Sequence, residues 1–401
     1  MHKVSNITGL GRREFVLLVA ALMGLNAIAI DIVLAALPDI GRAMGTTTPN
    51  PAQLTVGIFL AGAAISAFLV GPVADAYGRR LPILAGLTLF VAAALLAPFA
   101  QSMEAMLFLR LVQGIGVGTT RLSQAVLRDH YSGSEMAEAM SLALMVFLIL
   151  PVVAPLIGQG ILVIAGWKAI FLAMAALGMA VLAWTWFKLP ETLAPENRRP
   201  LSLRSVWTGL AFIARDRKAI GYGVAAMFLL GALYGFIATA QPVYGQTFGL
   251  GGFFAFAMAA TAMVQSGAAF VGSHLIRRFG AAAVGLIAVA AYVGFAAVLT
   301  LALSMEMLPF WLFFALVSAM MAMFTWADAT LGALSMTNLG KVAGTAASAF
   351  GAIQALGATL LGSLIGQGYD GTPRSFVLGA FFLGVVSLLA IIWAKGAAPL
   401  E

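Results

Sequence analysis

Apolar stretches recur along the whole sequence, separated by short loops that contain charged residues, Pro and Gly. Each stretch has about 20 residues, enough to cross a bilayer core as a helix. Backbone groups in lipid must form hydrogen bonds within their own segment, which favours helices. Only 9% of the residues are charged, whereas soluble proteins carry about 25%. The sequence therefore predicts an all-α membrane protein.

Loop residues divide the chain into twelve predicted transmembrane helices. They cover residues 14–38, 52–76, 81–101, 104–128, 136–164, 167–189, 218–245, 252–276, 280–303, 307–334, 341–368 and 373–395. A polar segment lies midway along the chain, and the pentapeptide LIGQG occurs at 156–160 and again at 364–368. Such a repeat predicts two pseudo-symmetric six-helix bundles. We place an N-terminal bundle at 1–189, a cytoplasmic linker with a short amphipathic helix at 190–217 and a C-terminal bundle at 218–401.

The positions of the basic residues predict the orientation. Of the 22 Lys and Arg residues, 17 lie at the termini or in the loops near 79, 128, 188–218, 277 and 341. The positive-inside rule then places both termini in the cytoplasm. The net charge of +7 follows from this topology, so we expect no nucleic-acid partner. The basic start leads into a full-length apolar segment, which predicts a retained first span rather than a signal peptide.

Two charged residues lie inside the first and fourth predicted spans, near the outer boundary. Asp31 interrupts the apolar run LNAIAIDIVLAALP, and Arg110 lies in the fourth span. At 1.5 Å per residue both are about 9 Å below the outer boundary, so a direct or water-mediated pair is possible. Ionisable groups at such depth are usually functional. We expect Asp31 to carry the coupling proton and Arg110 to tune it electrostatically, the alternative being a static ion pair.

Three further charges suggest a gate near the inner surface. Arg121 follows Arg110 by 11 positions and lies on nearly the same helical face, while Asp328 is near the inner end of the tenth span. Our hypothesis is that Arg121 or Arg128 pairs with Asp328 across the two halves. The alternative is an unpaired acid at the interface.

The loop after the second span reads GPVADAYGRRLP (71–82). It resembles the signature G-x-x-x-D-x-x-G-R-[RK] of the major facilitator superfamily, although Ala76 stands where a basic residue is common. The resemblance implies a charged latch between spans, and the alternative is an ordinary positive-inside loop. RLVQGIGVG (110–118) looks like the R-x-x-Q-G motif of proton-coupled members. The latch residues are Gly71, Asp75, Gly78, Arg79 and Arg80.

The fifth span contains LPVVAPLIGQG (150–160), which resembles the family's antiporter signature. It implies a helix bend at Pro151, Pro155 and Gly158, and bending without antiport is the alternative. GWKAIF (166–171), LPETL (189–193), DIVLAALPDIG (31–41) and KVAGTAASAFGAIQ (341–354) are similar to bicyclomycin-resistance-like drug:proton antiporters. This likeness implies the major facilitator fold in a bacterial inner membrane.

The same likeness implies proton-driven export of drugs or amphiphilic metabolites by alternating access, with a proton symporter for a small polar solute as the alternative. The sequence has no phosphate-binding loop and no metal-spaced His cluster. We therefore expect a non-enzymatic monomer without cofactor or metal, whose partners are a small amphiphilic substrate, protons and lipid. An intramembrane enzyme or a receptor is a remote alternative. Polar and aromatic residues of the cavity-lining spans are candidate substrate contacts, although helix packing explains each equally well: Asn26, Gln113, Gln124, Tyr234, Gln241, Trp326 and Gln354.

Overall fold

The computed structural model describes residues 11–198, 203–337 and 345–396, and within them every long regular element is a helix. In chain order the α-helices are α1 (Arg12–Leu34), α2 (Leu37–Ala43), α3 (Asn50–Tyr77), α4 (Arg80–Leu96), α5 (Met103–Gly118), α6 (Leu122–His130), α7 (Gly133–Lys188), α8 (Leu203–Arg215), α9 (Arg217–Ala240), α10 (Phe254–Phe279), α11 (Ala281–Ser304), α12 (Phe310–Ser335), α13 (Thr345–Gln367) and α14 (Arg374–Lys395).

Ten helices in this part of the chain are long and apolar enough to cross a membrane. The longest, α7, breaks at Gly166, whose φ of 76° is not helical, and so carries the fifth and sixth spans. The fourth span consists of α5 and α6 joined by the 3₁₀ turn Thr119–Arg121. These two corrections to the count give the twelve predicted spans, and the all-α membrane fold is confirmed. The predicted start of the eleventh span at 341 lies outside the described residues.

Several helix boundaries have local causes. The first span ends at Leu34, before the predicted 38, because Pro38 lies in the first turn of the separate helix α2. The seventh span continues α9 with a π-helical segment, Gln241–Thr247, which contains Pro242. Helix α9 itself begins after Asp216, whose carboxylate accepts hydrogen bonds from two backbone N–H groups of its first turn.

The chain forms two compact units. The first contains α1, α2, the part of α3 from Ile58 onward, and α4–α7. The second contains Thr48–Gly57 together with the chain from Arg204 onward. Helix α3 is therefore divided between the two units, and the linker helix α8 belongs to the second.

Candidate functional site

The side chain of Arg110 is fully buried in the first unit, with 0% of its surface exposed. Its Nη1 donates to Oε1 of Gln113 at 2.6 Å, and its Nη2 donates to the carbonyl oxygen of Ala29 at 3.2 Å. The guanidinium carbon also lies 4.2 Å from the ring centroid of Phe59. A buried cation needs such compensation because it has lost its hydration shell. The three contacts fix the guanidinium between the first, second and fourth spans.

The carboxylate of Asp31 is also buried, with 7% of the residue exposed. It forms no hydrogen bond or ion pair with any residue that the structure describes. Arg110 contacts the backbone of α1 only two residues earlier, at Ala29, which is a rise of about 3 Å. The two charged residues thus lie at nearly the same level without direct contact. Their proposed roles in proton coupling stay predictions.

The fifth span packs closely against α1 beside Asp31. A Cβ atom on Gly158 would collide with the backbone carbonyl of Ile32, so only glycine allows this approach. Pro151 and Pro155 lie inside α7, whose backbone stays helical through both. The antiporter-like segment therefore meets α1 next to the buried acid, whereas the predicted bend stays a prediction.

Charged residues of the predicted latch contact one another within the first unit. Nη1 of Arg79 donates to Oδ1 of Asp75 at 2.7 Å, and its Nε lies 3.5 Å from Oδ2 of Asp129 at the end of α6. Gly78 adopts a φ of 96°, which makes the tight turn between α3 and α4. Gly71 is half-buried within α3, where the backbone remains helical. The loop thus links the second, third and fourth spans by charge.

A residue without a predicted role, Glu191, completes this loop. Its carboxylate accepts hydrogen bonds from the backbone N–H groups of Arg79 at 2.8 Å and Arg80 at 3.2 Å. It also accepts from the N–H groups of Thr192 and Leu193. An anion is favourable at the start of a helix, and α4 begins at Arg80. Glu191 therefore ties the segment after the sixth span to the start of the third.

Two side-chain contacts strengthen the same junction. Nη2 of Arg80 donates to the carbonyl oxygen of Trp186 at 2.7 Å, and Oγ1 of Thr192 donates to Asp129 at 3.0 Å. The sequence signal for this residue is the LPETL ending of the first half, which indicates only a likeness to drug:proton antiporters. Its acid could not be assigned to the loop because 111 residues separate Arg80 from Glu191.

The residues of the predicted inner gate lie in different units. Arg121 is exposed at the 3₁₀ turn within the fourth span, and Arg128 is exposed near the end of that span, both in the first unit. Asp328 is exposed on α12 in the second unit. Their pairing stays a prediction.

The substrate candidates of the first unit differ in what they contact. Gln113 is buried and holds Arg110. Asn26 is half-buried on α1, and its Oδ1 has no hydrogen-bond partner among the described residues. Gln124 is exposed on α6. Asn26 therefore has buried acceptor capacity left for a ligand.

In the second unit, Trp326 donates its indole N–H to the carbonyl oxygen of Ala268 at 2.6 Å, so it links α12 to α10. Gln241 is buried at the start of the π-helical segment, and Tyr234 is half-buried on α9. Nε2 of Gln354 is buried without a hydrogen-bond partner in the described part of the chain. Buried amide donors are rarely left unsatisfied. Gln354 therefore has donor capacity left for a ligand in this unit, as Asn26 has acceptor capacity in the first.

Comparison with known proteins agrees with this architecture. Residues 19–362 match the Major Facilitator Superfamily. A bicyclomycin resistance protein homolog of Haemophilus influenzae is 30% identical over 389 residues, covering 94% of each chain. The multidrug resistance protein MdtL of Vibrio parahaemolyticus is 31% identical over 207 residues, which are 50% of this chain and 52% of that protein.

A crystal structure of a bacterial homolog of the human lysosomal transporter Spinster, inward-facing and occupied, superposes with a TM-score of 0.69. The two chains share 17% identity and 96% of each is covered, so this likeness concerns the fold alone.

The apolar helices, the family match over most of the chain and the transporter relatives together define a multi-pass membrane transporter rather than an enzyme. The chain belongs to the major facilitator superfamily, as its motifs predicted.

Proposed function

We propose that the chain is a proton-coupled antiporter that exports drugs or amphiphilic metabolites across a bacterial inner membrane by alternating access, with both termini in the cytoplasm. The names of two relatives, a bicyclomycin resistance protein homolog and a multidrug resistance protein, support small-molecule export. The antiporter-like segment at Pro155 and Gly158 supports exchange over symport. The termini themselves lie outside the described residues.

The observation that carries the proposal is the buried carboxylate of Asp31, which has no partner among the described residues. An ionised carboxylate is costly to bury without a partner, and binding a proton removes that cost. Arg110 is held in place by Gln113, Ala29 and Phe59. The acid can therefore gain and lose a proton without breaking a salt bridge, while a fixed positive charge nearby still acts on its ionised form.

Close packing connects this acid to the rest of the unit. Gly158 places the backbone of the fifth span against Ile32, the residue after Asp31. A shift of the α1 backbone at Asp31 would therefore displace α7 as well, because the two backbones are in close contact. In the proposed cycle, protonation from the outside favours one arrangement of these spans, and release of the proton to the cytoplasm favours the other.

The test is transport by the purified protein in proteoliposomes with an imposed pH gradient and a panel of amphiphilic compounds. An inward proton gradient should drive export by the wild type, and Asp31→Asn should reduce gradient-driven transport to background because the amide cannot exchange a proton. The matched control is Asp39→Asn, which removes the carboxylate that pairs with Arg42 in the short helix α2. It should transport like the wild type.

Two results would contradict the proposal. Gradient-driven export that survives in Asp31→Asn would remove this acid from the coupling step. Substrate uptake in the same direction as the protons would replace the antiporter with the symporter that the sequence left open.

A further inference from the structure

The linker helix α8 exposes an apolar stripe that the transport mechanism does not use. Trp207 is 67% exposed, although its large indole ring is mostly apolar. Ala211 and Ala214 are exposed as well, and they follow Trp207 by four and seven positions. This spacing places all three residues on one face of the helix. The stripe lies outside the membrane spans.

The neighbouring face of α8 is fixed to the second unit. Ile213 is buried and clusters with Ala219 near the start of α9 and with Phe350 near the start of α13. Leu210 and Met336, the latter at the end of α12, pack against the same cluster. The helix is thus held across the ends of three spans, and its exposed stripe does not contribute to this packing.

The charge around α8 is strongly positive. The segment 195–218 contains six basic residues and two acidic ones. Arg215 is exposed at the end of the helix. Arg217 places its guanidinium 4.7 Å from the ring of Trp393 and donates to the carbonyl oxygen of that residue at 3.0 Å. Exposed tryptophan beside basic residues is typical of the headgroup layer of a membrane.

We propose that α8 lies in the headgroup layer of the bilayer, with Trp207, Ala211 and Ala214 in the acyl boundary and the basic residues on anionic phospholipid headgroups. An apolar face flanked by cations is the pattern of helices that bind such surfaces. Phe212 provides a contrast within the same helix. It is 45% exposed, yet it lies about 140° from Trp207 around the helix axis, and it faces water in this arrangement.

The chain has no cysteine, so single-cysteine variants can be labelled uniquely. The full-length protein with Ala211→Cys or Phe212→Cys carries a nitroxide and is reconstituted into vesicles of phosphatidylcholine mixed with phosphatidylglycerol, or of phosphatidylcholine alone. High accessibility of the nitroxide to oxygen indicates that it lies in lipid, and high accessibility to a water-soluble nickel complex indicates that it lies in water. Both positions are exposed, so neither substitution should disturb folding.

In the anionic vesicles, the oxygen-to-nickel accessibility ratio should be severalfold higher at position 211 than at 212. Adding Trp207→Ser to the Ala211→Cys variant should reduce that difference, and phosphatidylcholine alone should reduce it too. Equal water accessibility at both positions would overturn the membrane placement and favour a water-soluble partner. A label at 211 that is equally deep in both lipids would overturn the preference for anionic headgroups.

Discussion

At the scale of single residues, the best-defined feature is the environment of Arg110. Counting residues along two spans predicted that Asp31 and Arg110 share a depth, and the contact with Ala29 agrees to within two residues. The partner that stacks on the guanidinium, Phe59, was not predicted. Phenylalanine is abundant in this chain, with 27 copies, and nothing in its local sequence distinguishes a ring that faces a cation from one that packs in the core.

We predict that Phe59→Leu weakens proton-driven transport because it removes the ring beneath the guanidinium. A cation–π contact away from water is worth about 2 kcal/mol, so the loss should be roughly tenfold or more. The pH dependence of transport should also shift, since a less constrained Arg110 changes the electrostatic field at Asp31. Phe59→Tyr keeps the ring and should keep most of the activity.

The matched control for this prediction is Phe90→Leu. Phe90 is also fully buried, but its ring faces Gly178 of the sixth span rather than a cation. It should lower stability with no shift in the pH profile. Equal changes in the pH profiles of Phe59→Leu and Phe90→Leu would mean that the ring acts only by packing.

At the scale of helices, close packing between α1 and α7 sets the surroundings of Asp31. Pro155 and Gly158 predicted an antiporter-like segment in the fifth span, but the sequence did not indicate which helix this segment contacts. The structure supplies that partner, because Gly158 has room for no side chain against Ile32. A contact of this kind depends on the register between two helices, and register is not encoded in either helix alone.

Gly158→Ala should therefore destabilise the protein and lower transport, since its methyl group would force α7 away from α1. Overpacking of this kind typically costs about 1–3 kcal/mol. Thermal unfolding in detergent and transport in proteoliposomes measure the two effects. Gly160→Ala, two positions further along the same helix, has open space for the added methyl group. It should be neutral or slightly stabilising, and a loss as large as that of Gly158→Ala would refute the close-packing argument.

The junction at Glu191 gives a second prediction for an element. Its carboxylate accepts hydrogen bonds from four backbone N–H groups, and glutamine would turn an amide donor toward some of them. Hydrogen bonds to a charged group contribute about 1.5–3 kcal/mol each, so Glu191→Gln should clearly lower the unfolding temperature. Glu196→Gln changes an exposed acid in the same linker and should have no effect. Identical unfolding temperatures for the two variants would contradict the assigned role.

At the scale of the whole molecule, the number of spans was predictable because each apolar run is long enough to cross lipid as a helix, which satisfies its backbone hydrogen bonds within its own segment. The apolar runs therefore report the fold almost directly. What the runs could not report is where a span is interrupted, as at Gly166 between the fifth and sixth spans and at Thr119–Arg121 within the fourth. These breaks depend on a few φ angles and on packing, to which hydropathy is insensitive.

The division of α3 between the two compact units leads to the last prediction. Its first turns belong to the second unit, where Nδ2 of Asn50 donates to the carbonyl oxygens of Gln367 at 2.9 Å and Tyr369 at 3.2 Å. The contact is reciprocal, because Nε2 of Gln367 donates to the carbonyl oxygen of Asn50 at 2.7 Å. The remainder of α3 belongs to the first unit. In the proposed alternating access the two halves move against each other, and because α3 runs through both units, we predict that this reciprocal contact opens during the cycle.

Because the chain lacks cysteine, the double variant Asn50→Cys with Gln367→Cys can test this requirement directly. Oxidation should link the two positions and abolish transport, and reduction should restore it. Each single variant should transport equally well under oxidising and reducing conditions, which controls for the oxidant and for loss of the hydrogen bonds. Formation of the disulfide should be verified by a mobility shift after cleavage of the chain between the two positions. Full transport by the verified disulfide form would mean that the start of α3 stays attached to the second unit throughout the cycle, and the moving boundary would then lie within α3 itself.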